Sequence, residues 1–130
     1  MASTPSFTST PRVGLANVSA ANTNRDGTGT ITALITGAAA GTKITSISAQ
    51  AAVTTTAGMV RIFLSTDAGS TWKLFDELAI AAATVSASVK GTRITSTYTD
   101  LVLPDVNHKL GCTTHNAESI VVVALGGDLT

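Results

Sequence analysis

The chain predicts an all-β fold, an antiparallel β-sandwich of eight or nine short strands, and three features of its 130 residues carry that expectation. Apolar side chains recur with a period of two, most clearly where Val60, Ile62 and Leu64 alternate with Met59, Arg61 and Phe63. Clusters of Gly, Asn, Asp, Ser and Thr interrupt the chain at near-regular intervals, the punctuation of short strands joined by turns. A helical period is nearly absent. The apolar run at residues 79–83 is too short for a helix, and β-branched Thr84 and Val85 follow it.

Taken in order, residues 1–11 are rich in Ser, Thr and Pro and hold one large apolar side chain, Phe7. So little apolar area cannot offset the entropy of ordering a segment, which therefore reads as an extended N-terminal arm before a sandwich domain at residues 12–130. Residues 13–19 give a first strand. The loop after it carries Asn22, Asn24 and Asp26 with Gly27 and Gly29, and Asp26-Gly27 is its turn signal. Residues 29–36 alternate Ile31, Ala33 and Ile35 against Thr30, Thr32 and Leu34. A small-residue turn at 37–41 leads to a strand at 42–53, whose period slips between Ile44 and Ile47 and so predicts a bulge or a switch of face.

Residues 59–80 read as a hairpin of two apolar runs joined by a polar corner at 65–72. Residues 85–90 and 93–98 read as one or two strands interrupted at Gly91, and residues 101–104 follow. Residues 109–114 alternate through Leu110 and Cys112. Residues 119–125 are apolar on both faces, as in a central or an interface strand, and Gly126-Gly127-Asp128 ends the domain. Strands of this number and spacing fit a jelly roll, with a small closed barrel as the alternative. No repeat of roughly 20–50 residues is visible, which excludes a propeller.

Composition narrows the function. The formal net charge is zero and 12% of residues are charged, about half the usual share. Mean hydropathy is +0.34. Nothing here attracts a polyanion, so nucleic acid is not an expected partner. No apolar run approaches the roughly 20 residues of a membrane span, and the first residues lack the basic and apolar regions of a signal peptide. The single cysteine, Cys112, rules out an internal disulfide framework. A Thr/Ser/Ala surface this poor in charge can be covered by neighbours without stranding desolvated ions, so permanent assembly is expected.

The corner Ser65-Thr66-Asp67-Ala68-Gly69-Ser70-Thr71-Trp72 fits S-x-D-x-G-x-T-W at every fixed position and resembles the Asp-box hairpin of sialidases and other β proteins. The resemblance implies an Asp67 carboxylate that gathers turn N–H groups, a Gly69 at positive φ and a Trp72 packed beneath the corner. Sialidase chemistry would further need an arginine cluster and a tyrosine with a partner carboxylate. The chain offers only Arg12, Arg25, Arg61 and Arg93, and a single tyrosine, Tyr98, so a structural hairpin is expected and catalysis is not.

Three other constellations read as structural. Asn22, Asn24 and Asp26 place oxygens at alternate positions before Gly27, like the start of a calcium loop, but the twelfth position is Ala33 instead of Glu, and Asx turns account for the same residues. His108, Cys112 and His115 offer three soft ligands without a nearby fourth, and Cys112 on an apolar strand is no activated nucleophile. Neither metal nor other cofactor is expected. Of the aromatic residues only Tyr98 is left unclaimed for stacking on a sugar.

Residues 13–31 (V-G-L-A-N-V-S-A-A-N-T-N-R-D-G-T-G-T-I), 54–63 (T-T-T-A-G-M-V-R-I-F) and 114–118 (T-H-N-A-E) resemble small structural proteins of tailed phages and prophages. The resemblance implies a non-enzymatic virion component with a jelly-roll domain, made in the host cytoplasm and bound to the capsid surface. Such a capsid decoration (cement) protein is commonly a trimer and bridges major capsid subunits. Pro5, Phe7 and Pro11 are the expected arm contacts with that partner, since proline lowers the entropy lost on docking. The alternative is a carbohydrate-binding module of a tail or fibre, with Tyr98 as its platform.

Overall fold

The computed structural model describes residues 8–129. They form eight strands: β1 (Thr10–Val18), β2 (Thr32–Thr36), β3 (Thr42–Ala51), β4 (Gly58–Ser65), β5 (Lys73–Ile80), β6 (Arg93–Leu103), β7 (Lys109–Thr114) and β8 (Ile120–Asp128). Two four-stranded antiparallel sheets result, sheet A ordered β1-β8-β3-β6 and sheet B ordered β2-β7-β4-β5. β1 pairs with β8, β2 with β7, β3 with β6 and β4 with β5. That is one long antiparallel ribbon, closed at the β4–β5 turn and rolled into two layers, while the β3–β8 and β4–β7 ladders stitch the roll together. An eight-stranded double sheet wound this way is a jelly roll, as the sequence predicts.

The period-two pattern decides which side chains fill the space between the sheets. Ala16 and Val18 of β1, Ile47 and Ala49 of β3, and Val122 and Ala124 of β8 face Val60 and Ile62 of β4, Leu78 of β5 and Cys112 of β7, all buried. Burying each large aliphatic side chain contributes about 1.5–3 kcal/mol. The slip in β3 is a bulge, for both of its ladders shift register between Ile44 and Ser46. The extra residue returns Ile47 to the face Ile44 occupies, so both are fully buried.

Several boundaries differ from the sequence reading, each for a local reason. β1 begins at Thr10, so Thr10 and Pro11 of the expected arm are paired with Asp128 and Gly127. Pro11 is tolerated because β1 is an edge strand, where a missing N–H breaks no ladder on its open side. β2 starts at Thr32, and a register shift between Ala33 and Ile35 turns both Leu34 and Ile35 into the core. Residues 85–90 form no strand. The Ser86 hydroxyl accepts the Ser88 N–H, and Ser86 and Val89 close a tight turn whose Val89 side chain stays exposed. The segment at 101–103 continues the strand from Arg93 in a single β6.

β8 also runs past the glycines that seemed to end the domain. A Cβ at Gly126 would stand 2.0 Å from the Lys43 carbonyl oxygen, so these glycines permit a close backbone approach inside the sheet. Beyond them Asp128 closes the strand, accepting from Arg12 at 2.9 Å and from the Thr42 hydroxyl at 2.8 Å.

Candidate interaction face

A sandwich has two outer faces, and this chain covers one with its own loop. On sheet B, Arg61 and Phe63 alternate with core residues Val60 and Ile62 and so point outward, yet Phe63 is fully buried and Arg61 nearly so. The β1–β2 loop, residues 19–31, makes the roof. Asn22 is its staple: the side-chain amide donates to the carbonyls of Thr28 and Thr30, its oxygen accepts the Asn24 N–H, and its backbone N–H reaches Thr114. Gly27, at φ 83°, lies so close to the chain at Trp72 that a Cβ would fall 2.0 Å from the Trp72 carbonyl oxygen. Ile31 and the Trp72 ring come down on Gly111, which β4 pairs with Phe63.

A charged chain ties this roof to the sheet. Glu77 accepts from Arg25 of the loop at 2.6 Å and from Arg61 of β4 at 3.1 Å, and Arg61 also donates to His115 Nδ1 at 3.2 Å. Arginine has no acceptor, so Nδ1 must accept. The buried Thr113 hydroxyl, on β7 directly across from Arg61, has no hydrogen-bond partner among the described residues.

Among the described residues no loop roofs sheet A as residues 19–31 roof sheet B, although Thr8 lies against Gly127 at one end and Ser48 at its centre is buried. The register puts Pro11, Val13, Leu15 and Asn17 of β1 beside Gly127, Leu125, Val123 and Val121 of β8 on its outer face. Lys43, Ser46, Ser48 and Gln50 of β3 come next, then Val102, Thr97, Thr95 and Arg93 of β6. One half is apolar, the other carries hydroxyls, and none of these residues is acidic. Val13 and Leu15 are 67% and 66% exposed, and Leu125 is 44% exposed. These exposed apolar side chains make the outer face of sheet A the candidate interaction face.

The Asp-box corner sits at the closed end of the ribbon. Asp67 accepts from the Thr71 N–H at 2.8 Å, the Thr71 hydroxyl at 2.6 Å and the Ser65 hydroxyl at 2.8 Å, while Ser65 accepts the Gly69 N–H. These bonds, those from Thr71 foremost, hold the Asp67 carboxyl down at about 2. Ala68 (φ 62°) and Gly69 (φ 92°) make the left-handed bend. Trp72 runs beneath it, between Gly69 and Gly111.

The remaining candidates do not converge. Asp26 accepts from the N–H and hydroxyl of Thr28 in an Asx turn, and Ala33 lies in β2. His108 bonds Asp105 in the β6–β7 turn, Cys112 is buried in the core, and His115 bonds Arg61. Burial pushes the Cys112 thiol up to about 12. No group of three His, Cys, Asp or Glu side chains among the described residues is placed to hold a metal ion. Arg12 serves Asp128, Arg25 and Arg61 share Glu77, and Arg93 stands at the far end of sheet A.

The Tyr98 hydroxyl donates to Asp76 at 2.6 Å, and its ring tilts 45° against Phe75. It also lines a groove with Thr8, Lys43, Thr45, Thr99, Leu125 and Gly126. Pro11 lies on the outer face of sheet A, while Pro5 and Phe7 fall outside the described residues. Sequence reasoning reads β8 as a central or an interface strand, and it is central in sheet A, between β1 and β3; the outward Val13 and Leu15 of β1 carry no such mark in the sequence.

A search against models of known protein families finds no match for this chain, and a search of curated proteins finds none either.

Proposed function

We propose that this chain is a non-enzymatic structural protein of a tailed-phage virion. In this reading it is a capsid decoration protein that bridges neighbouring major capsid subunits at the head surface and works as a homo-oligomer. The observation that carries the reading is the outer face of sheet A, apolar on one half and hydroxyl-bearing on the other, with no acidic side chain in its paired outward rows and one exposed carboxylate, Asp100, in the unpaired stretch of β6. Protein can cover such a face with almost no charge to desolvate. The chain's polar chemistry supports the same reading, because its ion pairs and the carboxylates of Asp67, Glu77 and Asp128 are spent on holding loops and strand ends. Residues 1–11 supply the capsid contacts through Pro5, Phe7 and Pro11, and several joined copies multiply a modest contact into avid binding.

The test is occupancy on particles. The full chain should co-purify with virions of the phage that encodes it and raise the temperature at which heads release DNA. A chain lacking residues 1–7, with the β1 ladder intact, should fold and bind heads more weakly. Equal occupancy of both chains would remove the arm from the mechanism, and absence from purified virions would overturn the reading. The groove beside Tyr98 favours a second reading, a carbohydrate-binding module. Glycan-array binding lost with Tyr98→Ala would select it.

A further inference from the structure

Sheet B is roofed by residues of its own chain, whereas sheet A presents Val13 and Leu15 about two-thirds exposed. We propose that the outer face of sheet A is the contact between two copies of this chain, packed sheet on sheet about a two-fold axis that runs across the strands. The inference holds whether or not the virion reading does.

The strand register selects that axis. Placed between the row of Val13 and the row of Leu15, it sets Val13 of one copy against Leu15 of the second and Leu125 against Val123, apolar on apolar. On the other half it sets Thr97 against Thr95, hydroxyl on hydroxyl, and Ser46 against Ser48, whose side chain is already buried within the sheet. The two cations in these rows lie at opposite ends, Lys43 beside Val102 and Arg93 beside Gln50. The axis therefore puts Lys43 opposite Gln50 and Arg93 opposite Val102, and no cation meets a cation. A two-fold axis along the strands would instead lay β1 over β6 and press the apolar half onto the hydroxyl half.

The size is sufficient. Seven residues at about 3.3 Å by four strands at about 4.8 Å give a face of roughly 450 Å² in projection. Two copies together cover roughly 900 Å² in projection, and the relief of exposed Val13, Leu15 and Leu125 brings the accessible area toward the low end of stable interfaces, roughly 1,200 Å². Sheets meeting this way stack about 10 Å apart with strands within about 30° of alignment. The pair carries its two Thr8 residues at opposite ends, since Thr8 lies against Gly127 at one end of each sheet.

Sedimentation equilibrium of the full chain across micromolar concentrations tests this. The expected mass is about twice the 13.1 kDa of one chain. Val13→Lys and Leu15→Asp should each weaken association by at least about tenfold, with unchanged circular dichroism and, at concentrations low enough that parent and variant are both single chains, an unchanged urea midpoint. The double variant V13K/L15D should regain association, since each introduced lysine faces the introduced aspartate of the second copy. Thr66→Lys, on the β4–β5 corner, should behave as the parent does. A parent chain that stays at 13.1 kDa, a trimer mass, single variants of unchanged affinity, or a double variant no better than the singles would each overturn the pairing.

Discussion

Phe63→Ala asks whether the β1–β2 loop is a true roof. By sequence alternation Phe63 belongs to the outward row of β4, where a side chain with no cover is wet and its truncation costs within about 0.5 kcal/mol. In the structure it is fully buried, in the row where Ile31 and Trp72 close over Gly111. Removing a fully buried phenylalanine costs about 3–5 kcal/mol, and collapse of the loop into the gap would recover only part of that. An expected loss of about 3–4 kcal/mol is a large fraction of a stability of about 5–15 kcal/mol. The assay is urea unfolding followed by the fluorescence of Trp72, the only tryptophan, at one fixed protein concentration. Phe75→Ala, at a ring 38% exposed, is the internal comparison and should cost clearly less. A loss below about 1 kcal/mol for Phe63→Ala would refute the roof and leave the loop as a loose cover.

Acid should weaken the fold through its aspartates. The Asp67 carboxyl is lowered from its ordinary 3.8 to about 2, and Asp26, Asp105 and Asp128 are lowered as well. A folded value below the unfolded one means stability that is present above the unfolded value and lost as pH falls through the folded one. The urea midpoint should therefore drop from about pH 4 to about pH 2, and Asp67→Asn should flatten part of that drop. Cys112, buried and with its thiol raised to about 12, should be inert to dithiodipyridine in the native protein and react at the rate of unfolding. Native-state labelling as fast as that of a free thiol would contradict its placement. Tyr98→Phe keeps the ring against Phe75 but removes the donor to Asp76, and should cost about 1–2 kcal/mol by urea titration.

How much was legible follows from what the code is made of. The sandwich, the β4–β5 hairpin and the β3 bulge came from period and turn chemistry, both local properties of the chain. The jelly-roll winding was inferred from strand number and spacing, and its pairing of first strand with last leaves no local mark. The β2 bulge was missed because Leu34 and Ile35 are adjacent in sequence, and alternation sends one of them outward. The roof over sheet B was missed for a different reason. Asn22, Arg25, Gly27 and Ile31 look like plain loop residues until Glu77, Trp72 and Gly111 stand across from them. Met59 and Phe63, apolar in the row that alternation sends outward, were the signal that this strand is covered on both faces, and Arg61 between them hid it. The outer face of sheet A was half visible, since β8 is apolar on both sides, whereas β1 declares itself only beside β8.

The rolled ribbon also sets an order of assembly. β4 and β5 are the only strand neighbours in space that are also neighbours in sequence, so theirs is the loop cheapest in entropy to close. Closing it brings β3 near β6, then β2 near β7, and last β1 near β8, whose ends Thr10 and Asp128 come from opposite ends of the chain. Such nested, long-range pairing is slow and cannot finish until β8 has been synthesised. Loss of the Asp67 corner is therefore expected to slow refolding, followed by stopped-flow fluorescence of Trp72, more than it speeds unfolding.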